Sequence, residues 1–355
     1  IKQTPGKTCG RLSTDFNPKA LLQLTKHLLR KSKVDFALLS SGLDDFPEVL
    51  FELNDLIPVL GNPPDVIKRV RDKTRFFKEL KRLHIPHPET AIAENLEEAR
   101  KKSKDMGYPV VVKPLTSVGG ASIRGVQNSQ RLKRVLRRKP FFDGRVLIQE
   151  YVSGTPASAS LISSKREAIT LTVNEQILGI RELGQREPYG YCGNVVPLLA
   201  DNSVISKCRI VAEKIALHFS LVGSSGLDLV ISEEGVPYAI EVNPRFQGTL
   251  ECVERVLGMN IVEAHVKACT EGTLPTITKN HSAYCVRLIL YASKRSIVPD
   301  LSTFMKVRDI PLPGVVIERG EPICSVVVKG ADRDSSLREA KKIAGLIFRS
   351  LEACD

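Results

Sequence analysis

Apolar residues recur at helical spacing over residues 17–35, where Asn17-Pro18 marks a start and Leu21, Leu22, Leu24, Leu28 and Leu29 form the stripe. A buried strand is expected to follow at 34–39. A helix at about 45–54, a short strand at 57–60 and the Gly61-Asn62-Pro63-Pro64 turn complete a segment like the later part of a Rossmann-like domain. The first strand of such a domain is expected before Ile1. Helices at 65–83 and 94–106 flank the proline-rich passage 85–90, and the apolar run at 108–113 then reads as a strand opening a new unit. A glycine-rich turn at 117–122, a short strand, a basic helix at 128–138, a strand at 145–150 and a mostly β region over 157–198 come next. A helix at 203–219 leads to the alternating run 225–232, the turn 233–237 and a strand at 238–242, which together read as a hairpin. Beyond a glycine-rich loop lie a helix near 249–256, strands at about 283–291, 314–318 and 323–329, and a closing helix at 335–352. These periodicities describe an α/β chain with α+β lobes. Its parts are a partial Rossmann-like domain at 1–64, a central domain at 65–275 (small lobe about 108–150, large lobe about 151–275) and a small α/β C-terminal subdomain at 276–355.

With 355 residues, 42% of them hydrophobic and 26% charged, the chain can bury an extensive core and is not intrinsically disordered. No run approaches the ~20 apolar residues of a membrane helix, and no leader is visible before Lys2-Gln3-Thr4, so a soluble, cytoplasmic protein with no membrane partner is expected. The eight cysteines include no CxxC pair and suit a reducing compartment. The net charge of +12 lies wholly in residues 1–150, which hold 29 Lys and Arg against 17 Asp and Glu; the remainder is balanced. An anionic ligand is expected there. The basic run 131–139 itself reads first as a solvated helix face; among anionic partners a polyphosphate is favoured over nucleic acid, because the run has no interleaved aromatic residue and no nucleic-acid-binding motif accompanies it.

The chemistry concentrates in the hairpin. Asp228 on its first strand and Glu241 and Asn243 on its second bring two carboxylates and an amide oxygen together, since residues 241 and 243 share a face. Both carboxylates sit inside apolar runs, where an unpaired charge is costly, and hard oxygens on a rigid sheet suit Mg²⁺. Lys113 ends the buried run Pro109-Val110-Val111-Val112, a place where an ammonium faces a cleft as readily as it snorkels to the surface. The turn that follows offers Ser117, Gly119 and Gly120, whose small side chains let backbone N–H groups approach phosphate. Neither GxxxxGK[ST] nor GxGxxG occurs, which argues against P-loop and dinucleotide-binding proteins.

In this order along the chain, the motifs resemble the ATP-grasp superfamily of carboxylate–amine ligases and carboxylases, over about residues 65–265. The resemblance implies that Arg71-Asp72-Lys73 supplies a phosphate-binding lysine, Lys73, and that Lys113 reaches the α- and β-phosphates. It makes 117–122 the glycine-rich lid and Gln149, Glu150, Tyr151 and Val152 the hinge that receives adenine. Asp228, Glu241 and Asn243 would then hold Mg²⁺, with Mn²⁺ as an alternative, and Arg245 would steady an acyl phosphate or tetrahedral intermediate. The family's acidic residue after the hinge has no counterpart in Ser153-Gly154-Thr155-Pro156-Ala157-Ser158, so the ribose contact is unassigned.

The implied reaction is ATP-dependent amide formation through an acyl phosphate, with Arg245 and Lys113 as the catalytic pair. ATP and small-molecule carboxylate and amine substrates are the expected partners, and a homodimer is a further expectation. A bicarbonate-dependent carboxylase and a silent ATP-binding protein are the alternatives. Arg181, Gly193 and Asn194, in a segment rich in Gly, Tyr and Arg, are the candidates for substrate contact.

Overall fold

The computed structural model describes residues 18–40, 42–115, 120, 122–138, 141, 145–277 and 283–353. In the N-terminal unit, α1 (Pro18–Lys31) and α2 (Pro47–Leu56) pack around Leu22, Leu50, Leu53 and Ile57. Leu21 and Leu29 join that core. Leu24 and Leu28, expected in the same stripe, are 58% and 56% exposed, because residues four apart line up with each other along a different flank of the helix. Segment 34–39 is not a buried strand either: it makes one parallel bridge, Ala37 to Val59, and leaves Val34, Phe36 and Leu38 on an open face. Only Ala37 and Leu39 meet the core, so the pleat alternates where continuous burial was expected.

The expected helix 65–83 is two helices, α3 (Pro64–Arg71) and α4 (Lys73–Arg82). Asp72 breaks them: its backbone is extended, and its side chain accepts a hydrogen bond from the Arg75 N–H at 3.1 Å, which caps α4.

The small lobe is a four-stranded sheet of order β1-β4-β2-β3, built from β1 (Thr90–Ala93), β2 (Val110–Pro114), β3 (Arg124–Val126) and β4 (Val146–Glu150). Helices α5 (Leu96–Met106) and α6 (Ser129–Leu136) close its core over Val110, Val112, Val126 and Ile148. The neighbouring residues Val111 and Leu147 face the other way, toward the large lobe.

The large sheet has eight strands in the order β12-β14-β10-β7-β6-β5-β8-β9. Its members are β5 (Thr155–Ser163), β6 (Ala168–Leu178), β7 (Tyr191–Val196), β8 (Gly223–Ile231), β9 (Pro237–Asn243), β10 (Tyr284–Tyr291), β12 (Val307–Arg308) and β14 (Pro322–Gly330). A three-stranded sheet joins β11 (Ser296–Ile297), β13 (Val316–Ile317) and β15 (Glu352–Ala353). The large sheet's two faces follow from alternation. Ala157, Ala159, Leu161, Leu227 and Leu229 pack against α7 (Asn202–His218). On the opposite face α8 (Leu250–Leu257) and α9 (Ile261–Thr270) cover one end through Ile162, Val196, Val253 and Ile261. What they leave open is the polar floor carrying Ser158, Gln176, Asn194 and Asp228. The C-terminal strands β10 and β14 continue the same sheet, and α10 (Arg333–Ser350) packs on them through Ala340, Ala344 and Ile347. No helix among the described residues is long and apolar enough to cross a membrane.

Candidate active site

The two lobes and the N-terminal unit enclose a cavity of about 380 Å³. Lys73, Lys113, Gly120, Gln149, Glu150, Tyr151, Val152, Asn194, Asp228, Glu241, Asn243 and Arg245 all line it. Ser117 and Gly119 lie outside the described residues.

The hairpin builds the floor. In its register Gly226 faces Asn243 and Asp228 faces Glu241, after which the pairing slips between Asp228 and Leu229. The slip makes Ile240 an extra residue, so Ile240 and Glu241 both line the cavity, which strict alternation would prevent. Asp228 accepts hydrogen bonds from Gln176 Nε2 at 2.8 Å and Asn243 Nδ2 at 3.1 Å. Burial, and then the Glu241 charge, pushes its carboxyl up to about 6.

Glu241 is differently placed, ion-paired to Arg71 and, at 3.1 Å, to Lys73 Nζ. Burial works to raise it, but Lys73 and Arg71 outweigh burial and hold it at about 2. The break at Asp72 makes this double grip available. On an unbroken helix residues 71 and 73 would point about 200° apart, whereas here the last residue of α3 and the first of α4 meet one carboxylate. Arg71 also donates through Nε to Asp45 Oδ1 at 2.8 Å. Burial opposes its charge, yet Glu241, Asp45 and Asp44 together raise its pKa.

Lys113 donates to Gln149 Oε1 at 2.7 Å, and Gln149 donates in turn to Thr90 Oγ1 at 2.9 Å. Burial lowers Lys113 to about 8, against the opposing pull of Glu241 and Asp228. Arg245 donates through Nε to Asp44 Oδ2 at 3.1 Å, through Nη1 to Phe246 O at 3.2 Å and through Nη2 to Asn243 Oδ1 at 3.3 Å.

Among the described residues no group of three His, Cys, Asp or Glu could hold a metal alone. The donors that are present do fit a small hard cation. Asp228 is a desolvated carboxylate satisfied only by amides, directly opposite a second carboxylate, and Mg²⁺ takes few protein oxygens when ligand phosphates complete its shell.

Two expected substrate residues are not brought to the cavity. Arg181 stands exposed on the one-turn helix Arg181–Leu183, whose Leu183 is the residue that turns into the core. Gly193 adopts φ +133°, and a Cβ there would lie 1.8 Å from the Arg287 carbonyl oxygen, so the close approach of β7 to β10 accounts for it. The cavity is also lined by Asp44, Asp45, Gln176 and Gln247, to which sequence reasoning assigns no role, and by Arg71, Tyr189 and Tyr191, which belong to segments singled out there without a role of their own. A signal existed for Gln176. In β6 the polar Thr172, Asn174 and Gln176 recur at every second position around Val173 and mark a polar face, until a bulge at Leu171 reverses the alternation.

The lobes, the hinge between them and the hairpin are those of the ATP-grasp family, and the chain belongs to it: the family model of the ATP-grasp domain matches residues 70–249. The chain is similar to an uncharacterized protein of Methanocaldococcus jannaschii, 28% identical over 324 residues that make up 90% of this chain and 76% of that one. It is also similar to the C-terminal section of the carbamoyl phosphate synthase large chain of Methanopyrus kandleri, 29% identical over 227 residues, 62% of this chain and 41% of that one. The chain thus spans less than half of that synthase section. The biotin carboxylase domain of Hydrogenobacter thermophilus 2-oxoglutarate carboxylase, solved with MgADP and bicarbonate, matches with a TM-score of 0.78 at 18% identity, over 98% of this chain and 80% of that one. The L-amino acid ligase of Bacillus licheniformis matches at 0.69 and 12% identity, over 94% and 84%. At such identities these structures share the fold.

Proposed function

We propose that the protein is an ATP-dependent carboxylate–amine ligase. A substrate carboxylate oxygen attacks the γ-phosphorus of ATP, ADP leaves, and an amine then displaces phosphate from the acyl phosphate to give an amide. The observation that carries this reading is the convergence of Lys73, Lys113, Asp228, Glu241, Asn243 and Arg245 on one cavity between two lobes. In it, the hinge residues Gln149, Glu150, Tyr151 and Val152 seat the adenine, and Lys73 and Lys113 bind the phosphates. Asp228, Glu241 and Asn243 would hold Mg²⁺, which when bound offsets the charge of the triphosphate. Arg245 faces the reacting oxygens. A carboxylate approaching a triphosphate meets like charge, so fixed cations in a site that excludes water supply the main rate effect, together with positioning.

The test is ATP turnover against pools of acids and amines, followed by ¹⁸O placed in the active acid's carboxylate. The acyl-phosphate oxygen leaves with phosphorus, so the label is expected in released phosphate. Label in AMP, label arriving only from bicarbonate, or ATP binding without turnover in any pool would each overturn the ligase reading.

A further inference from the structure

Arg245 stands on the irregular segment 244–249, where no strand ladder fixes it. Three contacts from the N-terminal unit bracket it residue by residue. Asn62 Nδ2 donates to Pro244 O at 3.0 Å, Asp44 Oδ2 accepts from Arg245 Nε at 3.1 Å, and Leu39 O accepts from the Phe246 N–H at 3.4 Å. The two side chains are themselves held. Asn62, 2% exposed, also accepts from the Val222 N–H at 2.8 Å just before β8, and Asp44, 8% exposed, accepts from the Gly42 N–H at 3.3 Å.

The guanidinium has five N–H groups. Nε–H goes to Asp44, one Nη1–H to Phe246 O and one Nη2–H to Asn243 Oδ1, which leaves one hydrogen on each terminal nitrogen. Two hydrogens on adjacent nitrogens form the fork that matches a pair of ligand oxygens. The other two acceptors are neutral groups within two residues of Arg245. Asp44 is its one carboxylate partner within 4 Å among the described residues, and it fixes the plane of that fork.

We propose that Asp44 is the positioning residue of Arg245, so that the N-terminal unit, outside the matched span 70–249, completes the active site. The role given to Arg245 rests on the ligase reading; the hold of Asp44 upon it does not.

The experiment uses the whole chain labelled with ¹⁵N-arginine. The Arg245 Nε–H signal is identified by its loss in Arg245→Lys. In the wild type this hydrogen is expected to exchange with water at least tenfold more slowly than those of exposed arginines, Asp44→Asn to abolish that protection, and Asp44→Glu to restore part of it. With a substrate pair found by the turnover screen, Asp44→Asn is expected to lower kcat about 10- to 100-fold, the factor for losing a charge-assisted hydrogen bond. KM for ATP and Kd for Mg-ADP should stay within twofold, whereas a merely structural role would move them together with kcat. Unchanged exchange in Asp44→Asn, or unchanged kcat, overturns the proposal. If no pool supports turnover, the ligase reading fails and the exchange result alone decides what Asp44 does. Should Asp44→Asn not fold, Asp44→Glu and Asn62→Ser are read by the same exchange, and no change in either overturns the proposal.

Discussion

Lys113 should take up a proton when nucleotide binds. Burial lowers it to about 8 in the free protein, so about half of the molecules carry a neutral lysine at pH 8 and about a tenth at pH 7. Phosphate oxygens beside Nζ favour the ammonium and raise its pKa again, so binding should absorb about 0.5 proton per nucleotide at pH 8 and about 0.1 at pH 7. Isothermal titration calorimetry of Mg-ADP in buffers of different ionisation enthalpy reads this number directly as a slope. Lys113→Met should remove the slope and weaken binding roughly 10- to 100-fold, the range for one charged hydrogen bond. The same shift has a sign in stability. The folded pKa lies below the usual lysine value of 10.5, so the unfolded chain binds more protons between pH 8 and 10.5 and the unfolding free energy rises with pH across that window. Lys113→Met should flatten the rise. A slope of zero for the wild type at pH 8, or a slope that survives Lys113→Met, would refute the reasoning.

Asp228→Asn should abolish turnover yet raise Tm at pH 7. The native carboxyl, at about 6, binds protons that the unfolded one, near 3.8, has lost, so the wild type loses stability as pH rises through that interval and the Tm gain should vanish at pH 4; a lower Tm at pH 7 refutes this. Arg124 on β3 and Glu187 of the large lobe form a two-bond ion pair across the lobes, one bond at 3.1 Å. Since exposed pairs contribute up to about 1 kcal/mol, Arg124→Gln should speed ADP release about two- to fivefold in stopped-flow fluorescence, and an unchanged rate would dismiss the link. Gly226→Ala would put a methyl 1.2 Å from Gln247 Nε2, so the Gln247 side chain must leave its place on the cavity wall. Turnover should drop with only a small change in Mg-ADP affinity, and wild-type turnover counts against that geometry.

Much of the site was readable because its residues break local rules. A lysine closing a run of valines and two carboxylates inside apolar strands are costly unless they face a ligand, and both features fall on the cavity wall. Most helices and strands of the two lobes were legible for a different reason, a regular period of 3.6 or 2, but β1 (Thr90–Ala93) and α9 (Ile261–Thr270) were not. What stayed hidden depends on tertiary partners. Asp72 inside a basic helical run looks like a tolerated polar residue, and only its cap on α4 reveals a break. The slip at Ile240 leaves no mark in a strand whose alternation is already interrupted by Glu241. Asp44 and Asp45 precede Pro47 and read as first-turn charges of a helix, although each finds its arginine in a distant segment.

The excess of +12 does not reside in the site. Arg71, Lys73, Lys113 and Arg245 are set against Asp44, Asp45, Glu150, Asp228 and Glu241, so the cavity lining carries no excess of positive charge, while Arg100, Lys101, Lys104, Arg131, Lys133, Arg134, Arg137 and Arg138 stand exposed on and beside α5 and α6. Polyphosphate affinity must therefore come from an exchange of partners, in which Lys73 and Arg71 relax their hold on Glu241 as phosphate and metal arrive. This predicts opposite effects of one substitution. Glu241→Gln frees two cations that burial has already desolvated, so ADP without metal, in excess EDTA, should bind about tenfold more tightly, which is 1.4 kcal/mol. Mg-ADP should lose whatever advantage the metal confers, because one of its two carboxylates has gone. Calorimetry of ADP with and without Mg²⁺, on wild type and variant, measures both arms. If Glu241→Gln weakens metal-free ADP, Glu241 is not the counter-ion that competes with phosphate for Lys73 and Arg71, and the exchange account is wrong.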